Sequence, residues 1–225
     1  MFCFTERLNM ITLPNTTLII VDGGPLQLAE KALKLSFKDI KYNSIKLLSS
    51  EIKPNEYYIK DNIFYYGVPK MTWVSYNDFI IHKLNPFVDT NYCLLIQTDG
   101  FVLNPEKWNN EFFNYDFIGA PLSPTNLANS HWVLDNIRKA GNFNLVGNGG
   151  FCLRTKKLLE ISEKAPFECN GPEDVYISVN HYKYFIDNGI TFAPIELART
   201  FSTDPLTPNT FGFHGNKGLI NTIKL

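Results

Sequence analysis

The residues best suited to chemistry in this chain are carboxylates set beside glycine or proline. Asp99 stands in Gln97-Thr98-Asp99-Gly100, directly after the apolar run Tyr92 to Ile96. An acidic residue at the C-terminal end of a buried strand lies where open α/β sheets hold their ligands. Such a carboxylate suits Mn²⁺ or Mg²⁺, hard cations that need only one or two protein carboxylates when phosphates complete the shell. Turn preference by itself also places Asp before Gly, so the residue type alone leaves both readings open. Glu173-Asp174 follow Pro172 and open an amphipathic segment. A helix dipole favours acidic residues there, and a general base taking a proton from a hydroxyl would occupy the same place.

Two further stretches are short of side chains or unusually placed. Gly147-Asn148-Gly149-Gly150 runs into the apolar Phe151-Cys152-Leu153, and missing side chains let backbone approach a ligand or simply turn. The spacing is neither the Gly-x-Gly-x-x-Gly of a dinucleotide fold nor a P-loop, which has Lys-Ser/Thr after its glycines. His214 lies in Phe211-Gly212-Phe213-His214-Gly215, read as an exposed, hinged element whose imidazole could close over a metal–diphosphate complex. His82 and His181 fall on helices and read as structural or surface residues, and His131 has no setting comparable to that of His214.

The elements that must position these residues alternate. Thr17 to Asp22 is a β-branched run ending in Asp22-Gly23-Gly24-Pro25, read as a buried strand entering a turn. Ala29, Ala32, Leu33 and Phe37 recur at helical spacing, giving a helix over Leu26 to Phe37, and Ser44 to Ser49 follows as a second strand. Strand, helix, strand is the unit of a parallel sheet. Glu51 to Tyr58 reads as a polar connection and Asn62 to Gly67 as a short strand. A helix spans about Trp73 to Leu84, with Ser75 and Asp78 resembling a capping box. Then come the strand bearing Asp99, a short helix around Pro105 to Phe113, and a short strand from Asp116 to Ala120. Pro121 to Phe143 has no clear period and is assigned to substrate capture. After the glycine-rich turn the pattern gives a strand, a helix from Lys156 to Lys164, and a helix from Pro172 to about Asn188 with Val175, Val179, Tyr182 and Ile186 inward. Ile190 to Ala193 reads as a late strand.

At 225 residues and 44% hydrophobic content the chain can build a substantial core. One domain is expected over residues 1–225, with a nucleotide-binding half at about 17–120 and a catalytic half at about 121–215. The formal net charge of −1 gives no global field for nucleic acid or an anionic membrane. Cys3, Cys93, Cys152 and Cys169 lack Cys-x-x-Cys spacing, which argues against zinc or a disulfide framework and for free thiols in a reducing compartment. No apolar run has spanning length and residues Met1 to Met10 form no signal core, so a cytoplasmic protein without a membrane segment is expected.

Taken in order, these segments resemble a family of little-characterised glycosyltransferases of the GT-A type. Its pattern is Gln-x-Asp-Gly, Tyr-Asp-x-Ile-Gly-Ala-Pro, Gly-Asn-Gly-Gly-Phe-Ser-Leu-Arg, Glu-Asp, Phe-Ala-Pro and Phe-Gly-Phe-His-Gly. Here those are Gln97 to Gly100, Tyr115 to Pro121, Gly147 to Arg154, Glu173-Asp174, Phe192 to Pro194 and Phe211 to Gly215. The resemblance implies an α/β, Rossmann-like, mixed and mostly parallel sheet flanked by helices, and transfer of a sugar from a nucleotide-sugar donor to a glycan or other hydroxyl acceptor. It implies a donor site at Asp22, Gln97, Thr98, Asp99, Asn148, Gly149 and Gly150. Asp99 and His214 would hold Mn²⁺ or Mg²⁺, and Asp174, with Glu173 as the alternative, would be the base of an inverting reaction. Gln97 takes the place of the first Asp of an Asp-x-Asp, Cys152 stands where Ser is frequent, and Leu122 follows Gly-Ala-Pro where an aromatic is common. The alternatives are a catalytically silent sugar- or nucleotide-binding module on the same fold, which Gln97 favours, and a sugar-phosphate nucleotidyltransferase, for which Asp22-Gly23-Gly24-Pro25 would have to serve as the glycine-rich loop.

Overall fold

A computed structural model describes residues 10–122, 145–203 and 209–223. Cys3, His131, Trp132 and nearly all of the segment assigned to substrate capture lie outside them. The first strand, β1 (Ile11–Asp22), starts earlier than its apolar run. It pairs in parallel with β2 (Ile40–Ser49) on one side and with β5 (Tyr92–Ile96) on the other. Pro14 cannot donate a ladder bond. It falls within a register shift between Leu13 and Thr17, and β5 pairs only from Thr16 onward, so the missing N–H interrupts neither ladder. From Thr16 to Val21 every residue is buried, as expected of a central parallel strand covered on both faces.

The helix α1 (Leu26–Phe37) connects β1 to β2 and buries Ala29, Ala32, Leu33 and Ser36. Beyond β2 the sheet continues through β4 (Ile63–Gly67), parallel, to an antiparallel edge strand β3 (Tyr57–Lys60). The expected polar connection, Glu51 to Tyr58, thus loses its last two residues, Tyr57 and Tyr58, to β3. The hairpin signal is Asp61-Asn62, both with positive φ (53° and 63°), which supply the two-residue loop whose twist matches paired strands. On the other side of β5, β7 (Phe151–Thr155) runs antiparallel and pairs with β6 (Phe117–Ile118), giving the seven-stranded order β3-β4-β2-β1-β5-β7-β6. The expected α/β architecture, a mixed sheet flanked by helices, is thus the architecture found.

Several local expectations change. The helix α2 (Trp73–His82) is capped by Thr72, whose Oγ1 accepts from the Ser75 N–H while Ser75 Oγ accepts from the Thr72 N–H; Asp78 instead meets His82 Nδ1 at 2.8 Å. The expected long helix from Pro172 is a short α-turn Glu173–Val175, a π-turn Tyr176–Asn180 and a helix Tyr182–Asp187. Val175 and Val179 are buried as expected and Tyr182 packs on them; past the π-turn Phe185 is buried and Ile186 faces solvent. Ile190 to Ala193 makes only a single bridge, Phe117 to Phe192. Among the described residues no helix is long and apolar enough to cross a membrane.

Candidate active site

The parallel strands β1 and β5 end side by side, so Asp22 and the Gln97–Gly100 turn come to the same edge of the sheet. Gln97 and Gly100 exchange two backbone hydrogen bonds, N to O at 2.9 and 3.1 Å, and this closed turn projects Thr98 and Asp99. Ile96 pairs with Phe151 across the ladder, which lays Gly149-Gly150 beside that turn. The tail is drawn in by its aromatic residues. Phe211 and Phe213 are fully buried, Phe213 packs edge-on against Phe101 at 4.8 Å, and the Asn216 N–H donates to the Asp99 carbonyl at 3.2 Å. His214 is therefore fixed over the strand ends with its side chain 23% exposed, and the exposed, hinged reading of this element is corrected.

Glycines make these approaches sterically feasible. A Cβ on Gly150 would stand 2.1 Å from His214 Nε2, and one on Gly149 would stand 1.6 Å from Glu173 Oε1. The space freed by both glycines is filled by the protein's own side chains.

All these residues line one cavity of about 620 Å³: Asp22, Gln97, Thr98, Asp99, Asn148, Gly149, Gly150, Glu173, Asp174 and His214, together with Trp73, Tyr76, Asn77 and Leu122 among others. The last four were not singled out by residue chemistry for this role, although Leu122 directly follows a quoted segment. On the strand-end side, His214 Nε2 lies 3.0 Å from Gln97 Oε1 and 3.4 Å from Asp99 Oδ1, and Gln97 Nε2 donates to the Tyr76 hydroxyl at 2.7 Å. Burial opposes ionisation of Asp99, but the contact with His214 outweighs it and holds the carboxyl below its ordinary value. Burial also disfavours the imidazolium, and Asp99 outweighs it, so His214 is raised. Asp22 is raised, first by burial and then also by the charge of Asp99. Its Oδ1 accepts from the Gly24 N–H at 2.8 Å, while its buried Oδ2 has no partner among the described residues.

The opposite wall is tied together more tightly. Arg154, 1% exposed, donates from Nη2 to Glu173 Oε1 at 3.0 Å and from Nε to Cys152 Sγ at 3.1 Å, and the Cys152 thiol donates to the Gly149 carbonyl at 3.3 Å. Cys152 thus bonds as a serine hydroxyl would at that position, and burial pushes its thiol up to about 11. Burial, then the neighbouring Asp174, raises Glu173 against the opposing charge of Arg154. Asp174 accepts through Oδ2 from the Asn148 N–H at 2.6 Å and through Oδ1 from the Val175 N–H at 2.8 Å. Asn148 has φ of 61°, a left-handed conformation that Asn adopts more readily than most residues, and this turns its N–H toward the carboxylate.

Asp99 and His214 suit a divalent ion in donor type, with the Gln97 amide oxygen at hand. Among the described residues no group of three His, Cys, Asp or Glu is arranged to hold a metal alone. An ion held by these two donors would need the rest of its shell from ligand phosphates and water.

The chain belongs to a recorded family. The profile of the family described as "Protein of unknown function (DUF5672)" matches residues 53–217, and the chain is a member. No curated protein sequence matches it. Among solved structures, an active-site mutant of LgtC superposes with a TM-score of 0.50 at 15% identity, over 88% of this chain and 86% of that one. The galactosyltransferase LgtC in complex with donor and acceptor sugar analogues gives 0.48 at 13% identity, over 88% and 86%. A glycosyltransferase involved in glycosylation of the major capsid of PBCV-1 gives 0.46 at 13% identity, over 92% and 97%. At a TM-score of 0.50 the LgtC mutant shows a similar fold, so the mixed α/β architecture of this chain is GT-A-like.

Proposed function

We propose that this chain is a GT-A-type glycosyltransferase, moving a sugar from a nucleotide-sugar donor to a hydroxyl of a glycan or other acceptor. The observation that carries the reading is one cavity lined both by Asp99, His214 and Gln97 at the strand ends and by Asp174 at a helix start. Asp99 and His214 would hold Mn²⁺ or Mg²⁺, which when bound supplies Lewis-acid neutralisation of the leaving diphosphate. Asp174 takes the proton of the acceptor hydroxyl as its oxygen bonds to the anomeric carbon and the bond from that carbon to the diphosphate oxygen breaks. Attack from the face opposite the leaving group inverts the configuration. Glu173, held in a buried ion pair with Arg154 and set against Gly149, is given the positioning role.

Calorimetric titration of nucleoside diphosphates and nucleotide sugars, with and without Mn²⁺, tests this reading on the wild type and on Asp99→Ala. Manganese-dependent binding lost in the variant is the expected result. Failure of every nucleotide to bind the folded wild type overturns it. Gln97, in place of a second carboxylate, favours one other reading, a silent binding module. Asp174→Asn separates the two, since a transferase keeps donor binding and loses turnover by roughly 100-fold or more, as removal of a general base does.

A further inference from the structure

We infer that Trp73 is the platform on which the acceptor lies, and that the acceptor is therefore a saccharide whose pyranose ring packs on the indole. This rests on the transferase reading of the cavity. Trp73 is 59% exposed, yet it lines the cavity with Asp174. Its setting differs from that of Trp108, which packs edge-on against Phe112, Phe113 and Phe211 and donates from Nε1 to Asn110. Among the described residues the Trp73 ring has no aromatic neighbour and its N–H no hydrogen bond. The buried face of α2 is Asn77, Phe79, Ile80 and Ile81, so packing of the helix does not account for an indole at its first turn.

The position of that turn is nevertheless fixed. Thr72 and Ser75 cap it reciprocally. The buried Asn77 donates from Nδ2 to the Trp73 carbonyl at 2.7 Å and accepts at Oδ1 from the Glu173 N–H at 3.0 Å. One side chain thus ties the turn bearing Trp73 to the helix start bearing Asp174, on the wall where the acceptor hydroxyl must lose its proton. An aromatic face beside that point suits a ring with apolar C–H faces and polar edges: the faces lie on the indole while the hydroxyls remain free for Asp174. A nucleobase could also stack on an indole. The same helix meets the strand ends through Tyr76, whose hydroxyl accepts from Gln97, but the Trp73 carbonyl itself is tied through Asn77 to the Glu173 N–H, and this favours the acceptor.

The test follows the indole N–H signals of the full chain by NMR. Trp73 is assigned as the one of the three tryptophans whose signal is absent from Trp73→Phe. The probes are the methyl α- and β-pyranosides of glucose, galactose and mannose, and, separately, UDP, GDP and ADP with Mn²⁺. The expected result is that at least one glycoside shifts the Trp73 signal while the nucleotides do not. Trp73→Ala should weaken that glycoside about 10-fold, the equivalent of 1.4 kcal/mol, and leave nucleotide binding and thermal midpoint unchanged. A Trp73 signal moved by nucleotide, with nucleotide binding weakened in the alanine variant, overturns the assignment in favour of base stacking. A signal moved by none of the probes also overturns it. Failure of the transferase reading would appear separately, as nucleotides that bind neither wild type nor variant.

Discussion

The two walls of the cavity are built from the same kinds of residue and are held in different ways. At the helix start, Glu173, Asp174, Arg154 and Asn77 are all buried, and each carboxylate accepts named bonds at short distance. At the strand ends, Asp22, Gln97, Asp99 and His214 are only partly buried; His214 Nε2 is shared between two neighbours, and Asp22 Oδ2 has no partner among the described residues. A wall whose groups are already satisfied can orient a base without rearranging. A wall whose groups are shared or unpaired has bonding capacity left for a ligand. Preorganisation on one side and exchangeable contacts on the other are what transfer between a held nucleotide and a positioned hydroxyl would require.

The largest effect should come from breaking the satisfied wall at its ion pair. Arg154→Met leaves the Glu173 carboxylate buried beside Asp174 without its cation, and removing one partner of a buried pair costs about 3–5 kcal/mol. Urea unfolding measures it. Arg154→Met with Glu173→Leu should recover much of that loss, because no uncompensated charge remains. Equal and additive losses in the single and double variants would mean that the pair is uncoupled and that the two walls differ less than their geometry indicates.

Adjacent glycines sharpen the same contrast with one substitution type. Gly149→Ala drives a Cβ into Glu173 Oε1, which Arg154 holds and Gly149 Cβ would approach at 1.6 Å; a group locked on both sides has nowhere to move, and about 1–3 kcal/mol should be lost. Gly150→Ala meets the far end of His214 at 2.1 Å, and an imidazole held by shared, partly exposed contacts can swing aside for less than about 1 kcal/mol. The same substitution should nonetheless weaken manganese-dependent nucleotide binding, because the swing takes Nε2 away from Asp99. Equal destabilisation by the two variants would erase the distinction between the walls.

Much of this arrangement could be read from residue order, and the rest depended on contacts between distant segments. Asp22, Asp99, the Gly147–Gly150 turn and Glu173-Asp174 were found because strand ends, glycine runs and proline-initiated helices are local features with local causes. Their meeting in one cavity follows from β1 and β5 being parallel neighbours, which the alternating opening implies. Asn77 and Trp73 were missed because a lone Asn or Trp at a helix start has no periodic signature; only the bond from Asn77 to Glu173, 96 residues away, gives them significance. The exposed, mobile reading of the element that bears His214 fails for the opposite reason, while His214 does meet Asp99 in the cavity. Glycines on both sides suggested mobility, whereas Phe211 and Phe213 sink into the core and Gly212 leaves room for the Phe151 ring, which a Cβ there would meet at 2.1 Å. The π-turn after Glu173-Asp174 likewise leaves Val175 and Val179 buried as helical spacing implies but turns Ile186 out to solvent.

The smallest predicted effect concerns charge at the exchangeable wall. Asp99 is lowered and His214 raised by their mutual contact, with side chains 15% and 23% exposed. A lowered carboxyl contributes stability above its unfolded value of about 3.9, and that contribution is lost as pH falls through the lower folded value. A raised imidazole contributes fully below about 6.5, and its contribution is lost as pH rises through the higher folded value. The pair should therefore stabilise most between about pH 4 and 6.5. His214→Gln should cost about 1 kcal/mol in that window and progressively less above it, as read from urea midpoints across pH. Arg154 keeps its proton throughout this range, so the loss in Arg154→Met should not fade at the alkaline end. If the two differences changed with pH in parallel, the titrating wall and the fixed wall would have to be treated as one network.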